Sequence, residues 1–243
     1  AQQQQWGRAV SAYQKAISMK PDFTGAYRNL AKIFQAINKP VEAAECLYEA
    51  MRREPDKASE KEYLEVGNIL GKNGKAEAAL ACYRSAIHLN PNSVEAIYQL
   101  GEFLSSREQL EEAIPYYQKV VAIQPGNQEI TLDANRKLTE IYSKLNRTGE
   151  AVEYQYQTLL NKPQATAEEY LVMGNSLLEN DKLDLAFNCY QNAVKLNPNL
   201  KDARNKMAEV WQKLGRWDEA VAYYQSLINA NPNSAEAYQL LAD

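Results

Sequence analysis

The side chains able to do chemistry are few. His88 is the one histidine among 243 residues, Cys46, Cys82 and Cys189 are the thiols, and adjacent carboxylates occur at Glu111-Glu112 and Glu168-Glu169. A Ser–His–acid triad requires a nucleophile and a carboxylate converging on the imidazole. His88 instead stands three residues before Pro91, where its ring suits the negative end of a helix. A single histidine excludes a histidine-rich metal site. The GKNG run at 71–74 lacks the spacing, and the Lys-Ser/Thr, of a phosphate-cradling loop. The carboxylate pairs read as solvated helix faces rather than as an acid–base couple. This segment therefore reads as non-catalytic, with no cofactor and no metal.

The cysteines share one setting, each nine residues before a proline (Pro55, Pro91 and Pro198). That equivalence points to packing, since a free cysteine behaves as a small hydrophobe. Equivalent positions on stacked helices lie roughly 10 Å apart, beyond the reach of a disulfide. A reducing, cytoplasmic setting is the expectation. The formal net charge of −4 gives no footprint for nucleic acid. No apolar run approaches the roughly 18 residues that span a bilayer, so membrane insertion is not expected. Ala1–Gln5 lacks the basic and apolar regions of a signal peptide. With 45% apolar residues the chain is rich enough to fold.

The elements that position these residues repeat. Prolines 21, 55, 91, 125, 163, 198 and 232 follow one another at steps of 34, 36, 34, 38, 35 and 34 residues. Such a period belongs to a stacked array of helical hairpins. Twelve residues before each proline stands Ala9, Ala43, Ala79, Ala113, Ala151, Ala186 and Ala220. Eight before comes Tyr13, Leu47, Tyr83, Tyr117, Gln155, Tyr190 and Tyr224, and five before comes Ala16, Ala50, Ala86, Val120, Thr158, Ala193 and Leu227. These offsets lie on one helical stripe, small residues at its ends and a large one between. An earlier helix carries Leu30-Ala31, Val66-Gly67, Leu100-Gly101, Met173-Gly174 and Met207-Ala208. The break between the two helices is expected at Asn38, Gly74, Glu108, Asn146, Asp181 and Gly215, five of which tolerate the left-handed conformation that ends a helix. No segment alternates like a strand.

These residues resemble the tetratricopeptide repeat family over nearly the whole chain. Leu100-Gly101, Ala113, Tyr117 and Pro125 match its pattern in one block, and Trp211, Ala220, Tyr224 and Pro232 in another. The resemblance implies an all-α, right-handed superhelical solenoid of antiparallel helix pairs. It divides the chain into a half-repeat at 1–23, repeats at 24–57, 60–93, 94–127, 132–165, 167–200 and 201–234, and a half-repeat at 235–243. The open half-repeats suggest a piece of a longer protein. The block at 132–165 departs most, with Asn135 and Gln155 at aromatic positions and Thr139 and Thr158 at small ones, after the extra residues 128–131. Ala58-Ser59 and Thr166 are further extras. A lengthened helix or loop is the simpler reading of the 128–165 region, and a flexible joint the sharper one.

In the family the first helices line a groove, and their outward positions touch ligand. Carried to this chain, the partner-binding residues are Arg28, Asn29 and Lys32, then Leu64 and Asn68, then Tyr98 and Gln99. The later blocks add Arg136 and Lys137, then Leu171, Val172 and Asn175, then Asn205 and Lys206. Tyr98, Leu64, Leu171 and Val172 are expected as exposed apolar groups. The chaperone-tail clamp of the family wants Asn where Lys32 stands, and the asparagine ladder of its sugar-transferase members is replaced by Asn29, Glu65, Gln99, Lys137, Val172 and Lys206. The resemblance implies an interaction scaffold that holds a peptide or helix of another protein. The alternative is the recognition arm of a larger enzyme such as a glycosyl- or sulfo-transferase. Self-association through terminal helices is a third route.

Overall fold

The computed structural model describes residues 2–123, 128–230, 232–233 and 235–242. Pro125, the expected stop of the third full block, lies outside the described residues, as do Ser234 and Asp243. The described chain is a helical-repeat solenoid built of hairpins, and no β-strand occurs among its described residues. It divides into two compact units, Ala1–Ala134 and Asn135–Asp243.

The first unit contains α1 (Gln2–Met19), α2 (Thr24–Ala36), α3 (Pro40–Arg53), α4 (Glu60–Lys72), α5 (Ala76–Leu89), α6 (Val94–Ser105) and α7 (Leu110–Ala122), with a 3-10 turn at Pro55–Lys57. The boundary between the units falls inside α8 (Gln128–Lys144). The second unit continues with α9 (Thr148–Leu160), α10 (Ala167–Glu179), α11 (Leu183–Leu196), α12 (Lys201–Leu214), α13 (Trp217–Ala230) and α14 (Ala235–Ala242).

Each first helix ends where the sequence breaks. Asn38, Glu108, Asn146 and Asp181 take φ of 58°, 60°, 58° and 57°, and Gly74 and Gly215 take 78° and 66°. The amide after each of these residues donates five residues back: Lys39 N–H to the Phe34 carbonyl at 2.8 Å, Gln109 N–H to Leu104 at 3.1 Å, and Arg216 N–H to Trp211 at 3.0 Å. This is the Schellman closure, which satisfies carbonyls that the helix leaves open. The second helices stop short of their prolines. α3 ends at Arg53 before Pro55, α5 at Leu89 before Pro91, and α11 at Leu196 before Pro198. Proline cannot donate the next backbone bond and disfavours helix in the residue before it.

In the first unit, Ala43, Ala79 and Ala113 are buried together with Ala50, Ala86 and Val120, and Tyr83 and Tyr117 fill the space between them. Gly67 and Gly101 leave room for those rings: a Cβ added at residue 101 would sit 3.1 Å from Tyr117 Cε1. In the second unit, Leu177, Cys189, Tyr190, Val210, Trp211 and Tyr224 form one apolar cluster. Phe187 and Trp211 meet there with ring centroids 5.2 Å apart. Each large side chain so buried contributes about 1.5–3 kcal/mol.

The irregular spacers have two outcomes. The fourth first helix begins at Gln128 rather than 132, so the residues 128–131 add a turn to α8. Ser59 and Thr166 are N-caps. Each heads a capping box, Ser59 with Glu62 and Thr166 with Glu169.

Candidate functional site

In the first unit, the outward positions of α2, α4 and α6 separate into two sets. Arg28, Leu64 and Tyr98 occupy the same place in successive hairpins, and that place faces the next hairpin. The Arg28 guanidinium donates to Glu62 Oε1 at 3.4 Å and to the Lys57 carbonyl at 3.2 Å. Leu64 is only 6% exposed and belongs to the core, which corrects its assignment as an exposed apolar contact. Tyr98 is half-buried; its hydroxyl donates to Asp133 and its ring packs edge-on against Tyr117, so it too is corrected from an exposed group to a staple. The physical reason is common to the three. Stacking covers the side of each first helix turned toward the following hairpin, one residue away from the exposed row.

That exposed row runs through Asn29 and Lys32 on α2, Lys61 and Glu65 on α4, and Glu95 on α6. Between α4 and α6 lies a fixed amide chain. Tyr83 Oη donates to Asn68 Oδ1 at 2.7 Å, Asn68 Nδ2 donates to Gln99 Oε1 at 2.9 Å, and Gln99 Nε2 donates to Glu95 Oε1 at 3.1 Å. Tyr117 makes the equivalent bond to Glu102. Burial pushes the Tyr83 phenol up to about 12. The Ser59 backbone N–H, more than the nearby Arg28 charge, holds the Glu62 carboxyl below its ordinary value against the opposing effect of its partial burial.

In the second unit, Arg136 and Asn205 are exposed, whereas Lys137, Leu171 and Lys206 are half-buried. Lys206 is paired with Glu209 at 2.8 Å. Asn175 is half-buried and accepts from Tyr190 Oη at 2.9 Å, repeating the Asn68 arrangement. Val172 is 64% exposed, the apolar group of this set left to solvent. These tyrosine-to-first-helix bonds, fifteen residues apart, were not expected; their signal is an amide or carboxylate paired with a tyrosine at that one separation.

The residues with chemical potential stay apart. His88 is exposed in the last turn of α5. Cys82 and Cys189 are buried, and desolvation pushes both thiols up to about 12. Half-buried Cys46 rises to about 11, chiefly by burial and secondarily through Glu45, Glu42 and Glu49. None of the three forms the thiolate that a nucleophile needs near neutral pH. Among the described residues no group of three or more His, Cys, Asp or Glu side chains could hold a metal ion, and no helix is long and apolar enough to cross a membrane. A cleft of about 610 Å³ opens between α1 and α2, lined by Trp6, Val10, Phe34 and Ile37.

Comparison with known proteins agrees with the repeat geometry. Tetratricopeptide repeat models match residues 64–128 and 177–243. The chain is 30% identical over 172 residues to the human protein O-mannosyl-transferase TMTC1, a match covering 70% of this chain and 19% of that protein. It is 24% identical over 211 residues to the peroxisomal targeting signal receptor of Kluyveromyces lactis, covering 73% of this chain and 37% of the receptor. Among solved structures, the C-terminal part of a TPR repeat-containing protein from Cytophaga hutchinsonii is 17% identical with a TM-score of 0.47, covering 99% of this chain and 96% of that one. The chain thus matches about a fifth of the mannosyl-transferase's length and over a third of the receptor's. It belongs to the tetratricopeptide repeat family.

Proposed function

We propose that this tetratricopeptide repeat chain is a non-catalytic scaffold that holds a segment of a partner protein along the exposed faces of its first helices. The observation that carries this reading is the row Asn29, Lys32, Lys61, Glu65 and Glu95. It stays in water after stacking has used Arg28, Leu64 and Tyr98. Mixed charge on this row favours a segment that alternates basic and acidic residues, and the Asn68–Gln99 pair holds the neighbouring amides in one orientation. The second unit has exposed groups of its own, Val172 and Asn205.

The test is a titration with a purified partner, first captured on the immobilised chain and then identified. The double variant Asn29→Ala with Glu65→Arg removes two exposed groups and should leave thermal unfolding unchanged. Affinity should fall at least about tenfold, roughly 1.4 kcal/mol. Equal affinity in the wild type and the variant overturns the reading.

A second reading is favoured by the similarity to a protein O-mannosyl-transferase. In it, the repeats are the recognition arm of a larger transferase and present its substrate. The sequence of the parent gene separates the two readings: a glycosyl-transfer domain in the same open reading frame decides for the arm, and its absence decides for the free-standing scaffold.

A further inference from the structure

We propose that the hairpin made by Asn135–Lys144 of α8 and Thr148–Leu160 of α9 is a local opening unit, one that unfolds and recloses ahead of the hairpin following it. Three differences from the following hairpin, α10–α11, meet there. Asn135 stands where four other hairpins have Tyr27, Tyr63, Ile97 and Tyr170 and α12 has Arg204; it is 2% exposed, and its Oδ1 accepts no hydrogen bond. A buried acceptor without a donor loses its hydration and gains nothing in return. Opening the hairpin restores water to it.

The second is the missing tyrosine bond, which the following hairpin has and which is absent also where Leu47 stands and at Tyr224, whose hydroxyl has no hydrogen-bond partner. Tyr83, Tyr117 and Tyr190 each reach back to the first helix of their own hairpin, at Asn68, Glu102 and Asn175. The corresponding residue of α9 is Gln155, which is exposed. Here the centre of the second helix is not tied to the first by that bond. The third is at the small positions. Thr139 and Thr158 stand where the following hairpin has Gly174 and Ala193, and their hydroxyls turn back onto their own helices, Thr139 to the Asn135 carbonyl at 2.9 Å and Thr158 to the Tyr154 carbonyl at 3.0 Å. Such back-bonding slightly destabilises a helix and contributes nothing between helices. The hairpin keeps the stacked pair Tyr142–Tyr154, with centroids 5.6 Å apart, the Arg147 guanidinium over Tyr142, and the buried side chains Leu138, Ile141, Val152 and Tyr156.

Repeat arrays gain stability from each hairpin and from each interface between neighbours, so a weak hairpin opens without unfolding the rest. Native-state hydrogen exchange with mass spectrometry on the whole chain reads this directly. Amides of residues 137–144 and 152–160 should exchange at least about tenfold faster than those of 171–179 and 187–196, with a dependence on low denaturant weaker than that of global unfolding. Asn135→Leu and Asn135→Tyr, which return an apolar side chain to the position, should each slow exchange across 137–160. Equal protection in the two hairpins of the wild type overturns the proposal. So does faster exchange that neither variant slows, or a fall in the global melting temperature in both variants, since either shows that the amide is not the weak point.

Discussion

The Tyr190 ring lies so close over Gly174 that a Cβ placed on residue 174 would come within 2.6 Å of its Cε1. Tyr190 cannot easily yield, because it is fully buried and its hydroxyl is bonded to Asn175 at 2.9 Å.

Gly174→Ala is therefore expected to destabilise the second unit by about 1–3 kcal/mol, despite the roughly 1 kcal/mol that alanine gains over glycine as a helix former. Gly101→Ala meets Tyr117 at 3.1 Å, and there the two effects should nearly cancel. Urea melts of the two variants should rank them in that order. An equal loss would mean that the Tyr190 ring moves aside.

Glu108, in the turn after α6, has φ of 60°, a conformation that places an ordinary side chain against the following carbonyl. Glu108→Gly should raise stability by about 0.5–1 kcal/mol, the relief of strain exceeding the entropy that glycine loses. Gly74→Ala, with φ of 78° and open space around it, should lose about 1–2 kcal/mol through backbone strain alone. Thermal melts of the pair check the two signs.

Acid should weaken the start of α4. The Glu62 carboxyl is held below its ordinary value of 4.5, first by the Ser59 backbone N–H. A depressed folded pKa contributes stability that is present above the unfolded value and lost as pH falls through the folded one. The contribution should thus disappear below pH 4.5, and Glu62→Gln should flatten that part of the stability profile. A profile identical to the wild type between pH 5 and 3 would remove Glu62 from the account.

Alkali should act through the tyrosine column. Burial pushes Tyr83 and Tyr224 up to about 12 from an ordinary value of 10. Groups raised in the fold contribute stability that is complete below the unfolded value and is lost as pH climbs through the folded one. Cooperative unfolding should therefore begin above pH 10, with phenolate absorbance from these residues rising together with the loss of helix. Difference titrations against Tyr83→Phe and Tyr224→Phe isolate these two phenols among the 16 tyrosines, and their phenolate appearing at pH 10 with full helicity would contradict the burial.

The hairpin turns were legible to the residue, including Glu108, which is a poor left-handed residue by type. The period places the turn, and the closing amide bond then imposes the conformation. First-helix starts at 24, 60, 94, 167, 201 and 235 were legible for the same reason. The start of α8 was not, because Gln128–Thr131 has ordinary helix-compatible composition and a periodic pattern cannot distinguish an added turn from a spacer. Leu64 and Tyr98, expected as exposed, lie one residue away from the exposed row. Periodicity within a hairpin identifies the face buried against its own second helix. How far the next hairpin covers an adjacent row depends on the offset between hairpins, which residue types alone do not encode. Asn68 and Asn175 were legible as polar groups but not as acceptors committed to Tyr83 and Tyr190.

The reciprocal bonds at Ser59–Glu62 and Thr166–Glu169 stand where the spacing between repeats lengthens. An extra residue ahead of a helix would rotate every later side chain by about 100° if the helix simply continued the count. A cap that declares its own first residue resets the phase instead. Insertions in these two joints are therefore absorbed where they occur, and the chain can vary in length there without any later column losing its alignment.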